Sequence, residues 1–120
     1  MLETFPNPTK SPYLIEFNCP EFTCVCPKTS QPDFATLKFS YVPDKVCVEL
    51  KSLKLYLGSF RNQGHFHEKV TNQICETLQE LLNPIYLKVI GDFAVRGGIK
   101  TVVTVVKGTR PPEIENSLHV

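Results

Sequence analysis

The hydrophobic period changes twice between residues 34 and 107, and this change limits the fold more than any other feature of the sequence. Apolar and polar residues alternate over 35–41, which predicts a half-buried strand. A turn at Pro43 precedes a second predicted strand, 46–49, which we expect to pair back on the first. Leucine or phenylalanine then occupies positions 50, 53, 57 and 60, the spacing of one helix face.

A second helix and two more strands complete the predicted order. Apolar residues recur on one helix face from about Phe66 to Leu81, and Asn83-Pro84 ends that helix. Residues 85–93 and 100–106 predict strands joined by a turn at Gly97-Gly98. The order β-β-α-α-β-β predicts an α+β fold in which two helices cover one face of an antiparallel sheet. The uncovered face or the sheet edges would be expected to pair with other subunits, so we predict an oligomer.

Prolines separate the predicted domain from its N-terminal part. Six of the ten prolines fall within the first 32 residues, where we expect an extended or looped chain with one short strand at 13–17. We therefore predict an extended arm over 1–12, a single domain over 13–107 and a loose polar tail over 108–120.

Composition excludes several classes of protein. The 120 residues are 42% hydrophobic and 21% charged with a net charge of +1, which suits one ordinary domain rather than a disordered chain. No run approaches the ~18 apolar residues of a membrane span, and the first residues do not form a basic region followed by an apolar one. The small net charge disfavours a phosphate-backbone ligand. We expect a cytoplasmic protein without a direct nucleic-acid or membrane partner.

The segment 20–34 is the strongest candidate for chemistry. It holds cysteines in a proline-rich loop, with Lys28 two residues after Cys26 and Asp33 at the mouth of the next strand. Nearby cations or N–H donors favour the reactive thiolate, and a carboxyl group there could pass a proton to what the thiolate attacks. The alternative is that these are small, partly buried thiols without a catalytic role. Five cysteines, an odd number, indicate free thiols rather than a disulfide framework.

A zinc site is a second hypothesis for the same cysteines. Cys19, Cys24 and Cys26 have the spacing C-x4-C-x-C, which is not the paired C-x2-C of a structural zinc site. His65 and His67 could join one cysteine as three ligands of a catalytic metal. The spacing carries no strong signature, so we predict no metal. Glu68 beside His67 could simply favour the helix dipole.

Lysines on the first predicted helix offer a third candidate site. Lys51 and Lys54 are three apart on one face, away from the leucine stripe. Two ammonium groups so placed could hold a phosphate, although an ordinary solvated face has the same spacing.

Three separated motifs resemble one known family, the NADPH-dependent 7-cyano-7-deazaguanine reductases, which are nitrile reductases of queuosine biosynthesis. Residues 49–56 (ELKSLKLY) fit every position of that family's signature. Residues 22–35 resemble its catalytic loop, and residues 60–68 resemble its substrate loop. The resemblance extends from about Tyr13 to Lys107. Cys24 stands where the family commonly has a small polar residue.

The resemblance implies a tunnelling fold (T-fold), in which β-β-α-α-β-β protomers join their sheets into a ring barrel. The short form of the family implies a decamer of two stacked pentamers, with active sites between subunits. It also implies reduction of the substrate's nitrile to an aminomethyl group with two NADPH. The deazaguanine would be the small-molecule substrate and NADPH the cofactor.

The resemblance also implies roles for individual residues. Cys26 would be the nucleophile that forms a thioimide, and Asp33 would be the proton donor. The residues implied to bind the substrate are Val48, Glu49, Leu50, His67 and Glu68. Those implied to bind NADPH are Lys51, Ser52 and Lys54. Two alternatives remain open, a related T-fold enzyme that converts the same nitrile to an amidine, and a zinc-dependent T-fold enzyme of pterins or purines.

Overall fold

A computed structural model describes residues 1–114 as an α+β fold with two helices and six strands, and it confirms the predicted fold class. The elements in chain order are β1 (Thr4–Pro6), β2 (Ile15–Val25), β3 (Pro32–Val42), β4 (Val46–Val48), α1 (Leu50–Gly58), α2 (His67–Leu82), β5 (Tyr86–Arg96) and β6 (Ile99–Gly108). Neither helix of this part of the chain is long and apolar enough to cross a membrane.

The main sheet has four antiparallel strands in the order β2-β3-β5-β6. Phe39 on β3 lies opposite Phe17 on one side and Val89 on the other, and these residues share one face of the sheet. Alternate residues of β3, from Ala35 to Tyr41, are buried there against the helices. One continuous core of apolar side chains results, and α2 lies over β5 and β6.

The pairing predicted for the strand 46–49 is wrong. Its counterpart β4 pairs with β1 in a separate two-stranded sheet, with Cys47 opposite Phe5. The partner of β3 in the first hairpin is β2, which is much longer than the strand predicted at 13–17. The prolines of the first 32 residues, Pro20 among them, favour a looped chain and so conceal the length of β2. Pro20 instead lies in an irregularity of register between Cys19 and Phe22 on an edge strand, where a missing N–H is tolerated.

Helix α1 is shorter than its apolar spacing predicts. It ends at Gly58, and Phe60 lies in the following turn, where its ring is buried against the rings of Phe22 and Tyr56. The apolar stripe continues beyond the helix because the turn still faces the core.

The sheet face opposite the helices and the two outer strands carry exposed groups. Lys38, Lys88 and Thr104 lie on that face, and Val102 and Val106 are about half exposed. In the described part of the chain, β2 and β6 each pair with a strand on one side only. The sheet therefore has two long edges with free backbone hydrogen-bonding groups, except at Val25, which bonds to the loop before α2.

The division into arm, domain and tail stays a prediction. Strand β1 falls within the predicted arm 1–12, and Gly108, the first residue of the predicted tail, ends β6. Residues 115–120 of the predicted tail lie outside the described residues.

Candidate active site

Cys26 is the first residue of the loop that joins β2 to β3. The loop is closed at its base by a hydrogen bond from the Cys26 N–H to the Gln31 carbonyl (2.8 Å). The Ser30 N–H donates to the Cys26 carbonyl (2.9 Å), and Ser30 has the left-handed φ of 60°. This tight turn gathers backbone N–H groups around the cysteine.

The loop favours the thiolate form of Cys26. The Thr29 hydroxyl, followed by the backbone N–H groups of Lys28 and Thr29, lowers the pKa of the Cys26 thiol. Because the thiolate is the nucleophilic form of cysteine, this loop is suited to nucleophilic chemistry.

The Cys24 thiol has different surroundings from the Cys26 thiol, although the two residues are only two positions apart. Its side chain is fully buried, and burial, followed by Asp33 and Cys26, raises the pKa of its thiol to about 11. Cys24 therefore packs as a small apolar residue. The two cysteines of the CVC sequence therefore differ in environment, which lowers the thiol pKa of Cys26 and raises that of Cys24.

Asp33, the second residue of β3, is buried at 5% exposure and lies between two basic side chains. Its Oδ2 lies 3.3 Å from Nε2 of His67, and its Oδ1 accepts a hydrogen bond from Nη1 of Arg96. A buried carboxyl group needs such partners. The predicted proton donor is thus held at both oxygens.

His67 is the first residue of α2, and its ring orientation is fixed by stacking. The imidazole lies parallel to the Phe93 ring, with centroids 3.9 Å apart and planes 5° apart. Glu68 follows in the first turn and is exposed. The loop before α2 reaches the Cys26 loop because its residues Gln63 and His65 exchange backbone hydrogen bonds with Val25.

These groups line one open cavity of about 410 Å³. The structure therefore brings together four residues predicted from the sequence, namely Cys26, Asp33, His67 and Glu68. The other lining residues are Pro27, Thr29, His65, Phe66, Arg96 and Gly97.

Arg96 was missed as a site residue. The sequence showed Arg96-Gly97-Gly98 only as a turn, and nothing in that motif indicates which carboxylate the arginine meets. The antiparallel pairing of β3 with β5, with Ala35 opposite Phe93, places the end of β5 beside the start of β3. Only this long-range pairing reveals the contact.

Val48, Glu49 and Leu50 are absent from the lining of the Cys26 cavity. Val48 is buried in β4, and Leu50 is exposed at the start of α1. Glu49 caps α1, because its carboxylate accepts from the N–H groups of Lys51 and Ser52 at 2.8 Å each. These hydrogen bonds lower the pKa of the Glu49 carboxyl, and the one from the Lys51 N–H has the largest effect.

The three residues predicted to bind NADPH lie in different surroundings. Ser52 is buried, and its hydroxyl accepts from the Glu3 N–H (2.9 Å) and donates to the Glu49 carbonyl (2.8 Å). Lys51 is exposed. Lys54 lines a second cavity, of about 320 Å³, between α1 and β2, together with Arg61 and Thr23. The lining of this cavity also contains the acidic residue Glu21, so two cations and one carboxylate face the same space.

The residues named in the zinc hypothesis are not grouped as metal ligands in the described part of the chain. Cys19 lines the α1–β2 cavity, whereas Cys26, His65 and His67 line the other. Within residues 1–114, no group of three or more histidine, cysteine or acidic side chains is arranged to hold a metal ion.

Comparison with known proteins identifies the family. The family model described as QueF-like protein matches residues 32–112. A NADPH-dependent 7-cyano-7-deazaguanine reductase from Anaeromyxobacter sp. (strain K) is 64% identical over 92% of this chain and 91% of its own length. Proteins with the same name from Alkalilimnicola ehrlichii and Magnetococcus marinus are 57% and 56% identical, over 92% and 88% of this chain and 85% and 83% of their own lengths.

A solved structure shares the fold. The crystal structure of an archaeosine synthase QueF-Like in the apo form superposes with a TM-score of 0.77, covering 85% of this chain and 100% of that one, at 24% identity. The likeness supports the T-fold that the resemblance implies, and the class is that of T-fold proteins. The chain belongs to the family of NADPH-dependent 7-cyano-7-deazaguanine reductases, which confirms the resemblance and the predicted class of oxidoreductase.

Proposed function

We propose that this chain reduces the nitrile of 7-cyano-7-deazaguanine to 7-aminomethyl-7-deazaguanine, the product used in tRNA queuosine biosynthesis, through a thioimide on Cys26. The observation that carries the proposal is one cavity in which a thiol of lowered pKa and a buried, hydrogen-bonded carboxyl group are placed together. The names of relatives up to 64% identical support the substrate and the reductant.

Cys26 begins the reaction as a nucleophile. A nitrile carbon accepts hydride poorly until a nucleophile adds to it and its nitrogen is protonated. The Cys26 sulfur forms a bond to that carbon while one π bond of the nitrile breaks, and Asp33 protonates the nitrogen. The result is a C=N bond, which is more easily reduced.

His67 and Glu68 are proposed to hold the deazaguanine. A carboxylate such as Glu68 can accept from both the ring N–H and the exocyclic amine of a guanine-like edge. A site built on those acceptors discriminates against purines that lack the donors. Val48, Glu49 and Leu50 are proposed to contribute partly through backbone groups, as the resemblance to the family implies.

Lys51 and Lys54 are proposed to hold the phosphates of NADPH. Lys54 and Arg61 share a cavity with Glu21, and two cations against one carboxylate leave a net positive charge that suits a phosphate. Ser52 supports this segment by anchoring the start of α1. NADPH supplies hydride when bound, and two equivalents balance the four-electron reduction of a nitrile to an amine.

The assembly is proposed to be a homodecamer of two stacked pentameric rings with active sites between subunits. The long free edges of β2 and β6 support sheet pairing between copies. The absence of residues 48–50 from the Cys26 cavity supports a site completed by a neighbouring copy. We further propose a cytoplasmic location and no direct binding of nucleic acid.

Two measurements test the proposed reaction. Incubation of the wild-type protein with 7-cyano-7-deazaguanine and no reductant should increase its intact mass by one substrate molecule. With NADPH added, the absorbance loss should correspond to two NADPH per nitrile consumed. An unmodified mass under the first condition would reject the thioimide route.

The alternatives give different results in the same assay. An amidine-forming enzyme would form the adduct but consume ammonia rather than NADPH. A zinc-dependent pterin or purine enzyme would lose activity on treatment with a chelator, whereas the proposed reductase would keep it.

A further inference from the structure

Arg96 binds the catalytic loop and the proposed proton donor at the same time. Its Nη1 donates to Asp33 Oδ1 and to the Pro32 carbonyl (3.1 Å), and its Nη2 donates to the Gln31 side-chain oxygen (2.7 Å). One side chain at the end of β5 thereby contacts three consecutive residues, 31–33, that lead from the Cys26 loop into β3.

A β-bulge directs Arg96 toward this contact. Phe93 lies opposite Thr101 and Arg96 lies opposite Ile99, so β5 has one residue more than β6 between these pairs. In a regular strand, residues three apart, such as Phe93 and Arg96, project from opposite faces of the sheet. The bulge restores Arg96 to the Phe93 face, where Asp33 lies, and bulges are used in this way near active sites.

The contact determines which oxygen of Asp33 can carry a proton. A guanidinium group has five N–H donors and no acceptor, so the Asp33 oxygen that faces Arg96 must be the accepting one. The proton of a neutral Asp33 carboxyl group therefore resides on Oδ2. This oxygen lies 3.3 Å from His67 Nε2, and the His67 ring is held by Phe93.

We propose that Arg96 is a positioning residue that orients Asp33 so that Oδ2 delivers the proton to the nitrile nitrogen. The inference rests on the proposed function. As the Cys26 sulfur bonds to the nitrile carbon, one π pair moves to nitrogen and takes the Oδ2 proton. This transfer leaves Asp33 as a carboxylate, which then accepts the proton released by the Cys26 thiol. The net change is addition of S–H across the nitrile, without oxidation or reduction.

The experiment measures adduct formation without NADPH, which separates this step from any effect on cofactor binding. Arg96→Met should slow the rise of the adduct mass by roughly tenfold to a hundredfold, as expected when a reacting group is misplaced. Arg96→Lys, which keeps one charged donor, should give an intermediate rate. Lys100→Met is the matched control, because it removes a charge from the same hairpin that pairs with Asp92 instead.

A double-mutant cycle distinguishes positioning from a general structural effect. If Arg96 acts through Asp33, adding Arg96→Met to Asp33→Asn should change the rate by less than about twofold, whereas independent effects would multiply. Thermal unfolding of every variant checks that the fold is retained.

Each outcome decides one of the two proposals. No adduct on the wild-type protein overturns the proposed function itself. A normal wild-type adduct with an unchanged rate in Arg96→Met, or with multiplying effects in the double variant, overturns only the positioning role. A loss in Arg96→Met that Arg96→Lys partly restores, with no further loss in the double variant, supports it.

Discussion

The Cys26 cavity and the signature segment (residues 49–56) were both predicted as functional sites, but the structure uses their polar groups differently. In the cavity, Cys26, Asp33 and His67 come from three elements and face one space. In the signature segment, Glu49 and Ser52 are bonded to the backbone of their own helix and of the N-terminal arm. The cavity residues face a common open space, whereas part of the signature segment holds local structure.

The difference shows that part of the signature segment serves folding, whereas binding is the role proposed for its lysines. Glu3 donates its N–H to Ser52 and accepts the Glu49 N–H through its carbonyl (2.8 Å), so the arm is fastened to the start of α1. Lys51 and Lys54 remain on the exposed side of that helix. The comparison predicts that changes in the cavity affect chemistry, whereas changes at Glu49 and Ser52 affect stability.

The largest expected effect follows from Cys26→Ala. It should abolish both the covalent adduct and turnover, because no other thiol in the described cavity can replace it. Intact-mass spectrometry with the nitrile, and NADPH absorbance, measure the two effects. Cys24→Ala is the matched control and should retain the adduct, since its thiol is buried with a pKa of about 11. Full activity in Cys26→Ala would contradict the mechanism.

Asp33→Asn should have the next largest effect. Loss of a general acid typically costs about 10²-fold to 10⁴-fold in rate, and we expect that loss in kcat with little change in the KM for the nitrile. Steady-state kinetics with both substrates separates the effect on kcat from the effect on KM. An equal effect on KM alone would assign Asp33 to binding rather than to proton transfer.

Thr29→Val tests the cause of Cys26 reactivity. The Thr29 hydroxyl lowers the pKa of the Cys26 thiol, so at neutral pH it increases the thiolate fraction. Its removal should raise that pKa and slow alkylation of Cys26 by iodoacetamide several-fold at neutral pH. The rate measured against pH should converge with that of the wild type at high pH, where both thiols are ionised. Unchanged labelling at neutral pH would exclude this role for Thr29.

Ser52→Ala should act on stability. It removes a buried hydroxyl and leaves the Glu3 N–H without that acceptor, so we expect the free energy of unfolding to fall by about 1–2 kcal/mol. Denaturant unfolding measures this change. Ser59→Ala, at the exposed end of α1, is the control and should cost less. A large rise in the KM for NADPH with unchanged stability would instead favour direct cofactor contact by Ser52.

Glu49→Gln should have the smallest effect, visible mainly on acidification. The pKa of the Glu49 carboxyl is lowered in the folded state, so the stability it contributes is present above the unfolded-state pKa and is lost as pH falls through the lower, folded value. We expect the unfolding midpoints of wild type and Glu49→Gln to begin to converge near pH 4.5 and to meet only below the lower, folded-state pKa. A constant difference between the two at every pH would contradict the capping role of the charge.

Local patterns were enough to predict most elements. Both helices, the hairpin around Gly97-Gly98 and the fold class follow from hydrophobic period and turn residues. The pairing of the first hairpin could not be predicted in this way, because β4 is three residues long and its alternation fits either partner. The extent of β2 was hidden by Pro20, whose tolerance depends on its place at an irregular sheet edge.

The residues of the candidate site likewise divide into those that local motifs predict and one that only the fold reveals. Cys26, Asp33, His67 and Glu68 were predictable because each lies in a motif that resembles the family, and Cys26 and Asp33 also share the short segment 20–34. Arg96 was not predictable, since it is 63 residues from Asp33 in the chain and meets it only through the β3–β5 pairing and the bulge.

The sequence by itself determined the elements, the reactive residue types and the family, because these depend on local period and on motifs of adjacent residues. Only the tertiary structure decided which strand pairs with β4, which of two nearby cysteines is buried, and which cation holds Asp33. These outcomes depend on burial and on contacts between distant segments. No local pattern encodes such contacts, because their energies exist only after the sheet has formed.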